Sequence, residues 1–313
     1  MPKQTTNPAD YIEPLNMNGL QGRMLHVPSA NPKHNKEILV VYGHHALLER
    51  WWGLMQNFNA YGNVTMPDLP GFGGMDSFYK IGQKPTIDNL ADYLASFIKL
   101  RYKRKRIILV GISFGFTVVT RMLQRYPELT KKVDFLISAI GFSRYDDFSF
   151  SRSRMLMYRM LSRTASMPVV SSVFRMVALN PWVLTKAYAR THNAKKKFAA
   201  AKDKDAFDKM MEMEIVLWHV NDLRTHMYTT NQFLHVDNCK VQIDLPVWHI
   251  GSKGDFYFDN HAVEQHMRII FKEFNGIELD LTTHAPSVVA TKKESAAFIP
   301  VKLRRVLHKI AKQ

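Results

Sequence analysis

The run Arg106-Ile-Ile-Leu-Val-Gly-Ile-Ser-Phe-Gly-Phe-Thr-Val-Val-Thr120 constrains the chain more than any other stretch. Ile107 to Val110 is apolar without polar alternation, which reads as a strand buried on both faces. It runs into Gly111-Ile-Ser-Phe-Gly115, and a helix-compatible segment, Phe116 to Tyr126, follows and stops at Pro127. A strand that reverses into a helix within five residues forces the central residue into a strained backbone. Side chains two positions to either side would collide, and glycine at both places removes the collision. The product is a serine hydroxyl at the tip of a strand, with the N–H of Phe114 at a helix N-terminus. An ordinary helix-capping role for Ser113 is the alternative, and the paired glycines disfavour it.

The rest of the chain supplies a sheet for this strand. Ile12 to Val27 reads as two strand pieces around Asn18-Gly19, a hairpin signal. Glu37 to Tyr42 is a second buried strand, Trp51 to Tyr61 has helical spacing, and Asn63 to Met66 is a short strand entering the loop Asp68-Leu-Pro-Gly-Phe-Gly-Gly74. Thr86 caps a helix whose face is Leu90, Tyr93, Leu94, Phe97 and Ile98. Val133 to Ile140 is another buried strand. From Phe142 to Lys240 the chain reads almost entirely as helices punctuated by Pro168 and Pro181, and alternation then resumes. Leu245 to Ile250 is a strand, Ala262 to Phe274 a helix, Ile277 to Leu281 a strand, and Ser295 to Ile310 a closing helix. The expected fold is α/β: a mostly parallel doubly wound sheet with an inserted all-helical cap. The core is expected at 1–141 and 241–313, and the cap at 142–240.

With 313 residues, 46% of them apolar, the chain can bury a large core. Its single cysteine, Cys239, excludes an internal disulfide framework. The first residues lack the apolar centre of a signal peptide, and no stretch reaches the roughly 18 apolar residues that span a bilayer. A cytoplasmic protein with no stable membrane anchor is the expectation. The net charge of +16 suggests either an anionic partner or a solvated basic surface. The dense run Lys99-Leu-Arg-Tyr-Lys-Arg-Lys-Arg106 carries no nucleic-acid-binding signature, so no nucleic acid is expected and the solvated reading is preferred. Lys195, Lys196 and Lys197 offer surface contact with anionic lipid headgroups; a solvated helix end is the plainer reading.

Ligands of doubly wound sheets bind beyond the carboxyl ends of the strands. Ser113, Asp255 and His284 each lie just past such an end. A serine hydroxyl needs a neutral imidazole to take its proton, and the imidazole needs a carboxylate to fix its tautomer. Asp259, Asp146 and Asp147 are alternative carboxylates within reach of the same imidazole. His44 and His45 show no metal-ligand spacing with another histidine or acid, so neither a metal nor another cofactor is expected.

In its order of motifs the chain resembles the α/β-hydrolase fold superfamily over nearly its whole length. Val40-Val-Tyr-Gly-His-His45 resembles the oxyanion loop after the third strand, and Asp68 to Gly74 the loop after the fourth. Gly251-Ser-Lys-Gly-Asp255 resembles the acid loop, and Thr283-His-Ala-Pro286 the histidine loop. The resemblance implies Ser113 as nucleophile, His284 as general base, Asp255 as its orienting acid, and oxyanion donors on the backbone of His44 and Phe114. Two departures stand out: Tyr42-Gly43 where many members have His-Gly, which bears on the packing behind the loop, and Phe116 in place of a further glycine, expected to narrow the pocket floor. A serine nucleophile disfavours the epoxide hydrolases and haloalkane dehalogenases of this fold, which use a carboxylate.

The implied activity is cleavage of a carboxylic ester or related acyl bond through an acyl-enzyme. Acyl transfer, carbon–carbon hydrolysis on the same residues, and a catalytically silent binding module are the alternatives. The expected partner is a small, apolar acyl substrate, with His45, Trp51, Met157, Met160 and Phe256 as candidate contacts. Nine of the 17 methionines fall in the insertion. They suit either a deformable lid over an apolar ligand or simply the filling of a helical core.

Overall fold

The computed structural model describes residues 7–190, 204–281, 283–287 and 290–312. Asn18 and Gly19, both at positive φ, turn β1 (Ile12–Met17) into β2 (Leu20–Val27) as an antiparallel hairpin. The other strands are β3 (Lys36–Val41), β4 (Gly62–Pro67), β5 (Ile107–Ile112), β6 (Val133–Ala139), β7 (Ile243–Ser252) and β8 (Phe271–Leu279). Among the described residues they form one sheet of order β1-β2-β4-β3-β5-β6-β7-β8, parallel from β4 to β8. Every residue of central β5 is buried, as its unbroken apolar run requires.

Helices cover both faces. Val110, Ile112, Ile137, Ala139 and Ile250 line a small apolar cavity closed by Trp51, by Leu54 and Phe58 of α1 (Trp52–Phe58), and by Phe298 and Ile299. On the other face Gly111 meets Phe116 of α3 (Phe114–Arg125), which packs on α2 (Ile87–Arg101). Phe116 is wholly buried, 5.7 Å from the Phe271 ring, so it extends the core rather than narrowing a pocket floor.

Between β6 and β7 come α4 (Arg152–Ala165), α5 (Pro168–Ala178), α6 (Pro181–Arg190), α7 (Lys204–Val220) and α8 (Leu223–Phe233). Pro168 and Pro181 stand at helix starts, where their missing N–H costs nothing. The insertion is tied to the loop after β4: Asp222 N–H donates to Gly71 O (2.8 Å), Gly73 N–H to Asn221 Oδ1 (2.9 Å), and Thr225 and Ser77 share a hydroxyl bond of 2.7 Å.

Two expected boundaries differ. The helix after β7, α9 (Asn260–Ile270), ends four residues early, because Phe271 is extended and β8 begins there with no intervening loop. The closing helix is broken at Pro300, whose ring cannot continue a helix. A turn at Lys292–Ser295 precedes it, and α10 (Val301–Ala311) follows. The basic run 99–106 lies at the end of the sheet away from Ser113, and three of its cations have acidic partners: Lys99 with Glu128 (2.8 Å), Arg106 with Asp134 (2.5 Å) and Lys105 with Glu37. Lys195, Lys196 and Lys197 lie outside the described residues. Among the described residues no helix is long and apolar enough to cross a membrane.

Candidate active site

Ser113 sits between β5 and α3 at φ 49°, ψ −120°, a region that side-chain-bearing residues rarely enter. The flanking glycines explain how the turn is accommodated. A Cβ on Gly111 would fall 2.5 Å from the Phe116 Cα, and one on Gly115 would fall 2.3 Å from the Val41 carbonyl oxygen. Neither neighbour is a side chain that can swing away. Phe114, first residue of α3, has an N–H with no carbonyl to meet within its own helix. The loop after β3 passes close by, since a Cβ on Gly43 would lie 3.1 Å from the Ser113 Cβ. His45 in that loop is also at positive φ, 55°.

Three strand ends converge here. His284 Nδ1–H donates to Asp255 Oδ2 at 2.6 Å, and His284 Nε2 lies 3.2 Å from Ser113 Oγ. The carboxylate beside Nδ1 selects the tautomer that leaves Nε2 as acceptor for the serine proton. Asp255 is nearly enclosed, its side chain 2% exposed, and its Oδ1 accepts the N–H of Tyr257 at 2.8 Å. Ser252 pins the histidine loop: its hydroxyl lies 2.9 Å from Leu281 O and 3.1 Å from Thr283 O. The other carboxylates are engaged elsewhere. Asp259 caps α9, and buried Asp147 accepts the N–H groups of Ser143 and Arg144 and a 2.5 Å bond from His266 Nδ1. That bond to Asp147 raises the His266 pKa above its ordinary value.

Tyr42 answers for the absent histidine of the oxyanion loop. Its hydroxyl donates to Asp68 Oδ1 (2.8 Å) and accepts the N–H of Leu69 (2.9 Å), which locks the loops after β3 and β4 together. Burial pushes the Asp68 carboxyl up to about 8, outweighing the neighbouring Arg23 guanidinium.

The insertion contributes side chains that sequence spacing did not reveal: His226, Thr229 and Phe233, on one face of α8. His44 Nε2 lies 2.9 Å from Thr229 Oγ1, whose own proton points to the Thr225 carbonyl (2.8 Å), so the imidazole is the donor. The His44 ring stands 4.1 Å from that of His226 and 5.1 Å from that of Phe233. Burial, then the neighbouring imidazoles, lowers His44 to about 3 and His226 well below its usual value, so both stay neutral. Phe233 continues an aromatic wall: 5.7 Å to Phe114 and 5.8 Å to Phe142, which stacks on Phe258 at 4.8 Å; Phe258 is 5.3 Å from His284. A histidine, a threonine and a phenylalanine at i, i+3 and i+7 on a helix were the available signal.

The remaining candidates scatter. His45 lies against Trp218 (4.4 Å) and His226 (5.0 Å) beside the buried carboxylate of Glu214. Trp51 lines the apolar cavity behind the histidine loop, and the Phe256 ring lies tilted against that of Tyr257 at 4.2 Å. Met157 and Met160 are not brought to Ser113. They are 47% and 62% exposed, on the side of α4 opposite Met155 and Tyr158, which pack against the core. Among the described residues, Asp146, Asp147 and His266 bring potential metal ligands together. The Arg144 guanidinium already lies 3.0 Å from Asp146 and 3.3 Å from His266 Nε2, so a cation of the chain's own fills that place.

Residues 38–151 match the family model described as alpha/beta hydrolase fold. No protein of curated function matches the chain in sequence. Similar solved structures include a thermophilic esterase from Thermogutta terrifontis, with 14% identity, TM-score 0.61, and coverage of 96% of this chain and 98% of that one. An esterase from Exiguobacterium antarcticum is similar at 13% identity and TM-score 0.65, covering 95% and 97%. An epoxide hydrolase from Bacillus megaterium is similar at 13% identity and TM-score 0.62, covering 96% and 100%. At such identities the likeness is one of fold.

Proposed function

We propose that this chain, which has the α/β-hydrolase fold, is a serine hydrolase that cleaves a carboxylic ester or related acyl bond through an acyl-enzyme. The observation that carries the reading is the unbroken series Ser113 Oγ, His284 Nε2, His284 Nδ1, Asp255 Oδ2, with contacts of 3.2 and 2.6 Å. Ser113 Oγ attacks the carbonyl carbon as its proton passes to His284 Nε2, and Asp255 stabilises the imidazolium. The developing oxyanion is held by the N–H of Phe114 and of His44. His284 then protonates the departing alcohol, and water, deprotonated by the same nitrogen, releases the acid and restores Ser113. Backbone donors do not depend on side chains, so Tyr42-Gly43 is compatible with the oxyanion role.

The residue at the turn is a hydroxyl and not a carboxylate, which favours acyl chemistry over epoxide opening despite the likeness to an epoxide hydrolase. Phe114, Phe233, Phe142 and Phe258 support an apolar acyl or aryl group as the part of the substrate that is bound. The helices inserted between β6 and β7, tied to the core at the loop after β4, serve in this reading as its cap. A fluorophosphonate probe tests the assignment: Ser113 is expected to be rapidly and stoichiometrically labelled, and S113A to lose at least about 10⁴-fold in kcat/KM on a small aryl ester with its fold intact. An inert Ser113 in the folded protein rejects hydrolysis in favour of a silent binding module. Product analysis with alcohol acceptors separates hydrolysis from acyl transfer.

A further inference from the structure

The first three helices of the insertion present an apolar surface that the described residues leave uncovered. On α5, Val169, Val173, Met176 and Val177 follow i, i+4, i+7, i+8 spacing and form a single stripe, with Val169 74% and Met176 75% exposed. Leu161 of α4 (58% exposed) and Trp182 at the start of α6 (65% exposed) extend it across helices that pack in succession. Soluble monomers seldom expose contiguous apolar patches of this kind without a use for them.

The charge on the same helices is of one sign. From Arg152 to Arg190 the sequence has six arginines and one lysine and neither aspartate nor glutamate. Arg159 turns inward to the Leu234 carbonyl, while Arg152, Arg154, Arg163, Arg175 and Lys186 are exposed. Arg152 and Arg163, four residues before and seven after the 59% exposed Leu156, share its face of α4. Lys186 lies 3.7 Å over the Trp182 ring.

We propose that the outward face of α4, α5 and α6 docks the protein on an anionic lipid bilayer. The apolar stripe enters the headgroup–acyl boundary while arginine and lysine stems reach out to the phosphates. Helices of 14, 11 and 10 residues are too short to span the bilayer and of the right kind to lie in its surface. Self-association through this face is disfavoured, because a two-fold axis would set its cations against their own copies. A nucleic acid would satisfy the cations but not the aliphatic stripe. The inference is independent of the reaction at Ser113, and a binding measurement tests it without reference to turnover.

The full-length protein is sedimented with phosphatidylcholine vesicles containing about one-third phosphatidylglycerol, and with phosphatidylcholine alone, at low and high salt. Binding to the anionic vesicles is expected to be about tenfold or more tighter, and to weaken as salt rises. The double variant Val173→Asp, Met176→Asp, at two exposed positions, is expected to lose tenfold or more in vesicle binding while its circular dichroism and its turnover of a water-soluble ester stay at parent level. The proposal is overturned if the parent remains in the supernatant at millimolar lipid, or if the variant pellets equally well. It is also overturned if light scattering shows a dimer that the variant abolishes while neither protein binds vesicles.

Discussion

Gly115 marks how little freedom the turn at Ser113 has. An alanine Cβ there would meet two backbone oxygens, of Val41 at 2.3 Å and of Tyr42 at 2.4 Å, and β3 cannot retreat without breaking its pairing with β5. Gly115→Ala is therefore expected to cost at least about 3 kcal/mol in chemical denaturation and to remove probe labelling along with it. Ser113 tests the same strain with the opposite sign. At φ 49° alanine is as ill at ease as serine, whereas glycine is not. Ser113→Gly should thus be more stable than Ser113→Ala by on the order of 1 kcal/mol, although both are inactive. Equal melting temperatures for the two variants would mean that no strain is held at this residue.

At the scale of elements, the site depends on how one loop is held against another. Ser252 closes β7, and its hydroxyl reaches the carbonyls of Leu281 and Thr283 on either side of the approach to His284, without touching Ser113 or the reacting atoms. Ser252→Ala should leave KM for a small ester nearly unchanged and lower kcat about tenfold, since a looser imidazole is misaligned more often. A change confined to KM would contradict this positioning role. These contacts also separate what sequence could tell from what it could not. Ser113, Asp255 and His284 were legible because each lies shortly past the end of a strand, and the ends of parallel strands share one edge of the sheet. The start of β8 was not legible. Ile269, Ile270 and Phe271 continue an apolar pattern, and neither glycine nor proline marks the change from helix to edge strand. Pro300 was a stop signal in plain view, and the break there is the ordinary consequence of a missing N–H. His226, Thr229 and Phe233 were beyond reach for another reason: spacing tells which residues share a helix face, but not which part of the core that face meets. Met157 and Met160 were misjudged on the same ground, as membership of the insertion says nothing of which side of α4 turns inward.

Across the whole molecule, several imidazoles are held neutral by enclosure, and this sets how the fold responds to acid. His249, 6% exposed and 2.9 Å from the Ser138 hydroxyl, is lowered by burial to about 4; His44 and His226 are lowered as well, though each keeps a partly exposed residue. In the unfolded chain each regains an ordinary pKa near 6.5, so below that pH the unfolded state binds more protons and stability falls as pH falls. The loss starts near pH 6.5 and continues until the folded-state values are reached. His266 has the opposite sign: its raised pKa gives stability that is complete below about pH 6.5 and disappears as pH rises through the folded value. It therefore cannot offset the acid loss, whereas Asp68, raised to about 8, favours the folded state increasingly as pH falls through that range, so the histidine contribution is read as a difference between parent and variant. Between about pH 7.5 and 5 a histidine held as low as His249 should cost about 2 kcal/mol, with less from the two more exposed rings. Urea midpoints at the two pH values give the parent's loss. His249→Gln, which keeps a polar partner for Ser138 but takes up no proton, should reduce that loss by about 2 kcal/mol. An unchanged acid loss in this variant would show that His249 takes up its proton in the folded protein as readily as in the unfolded one, and the neutral, enclosed imidazole would have to be abandoned.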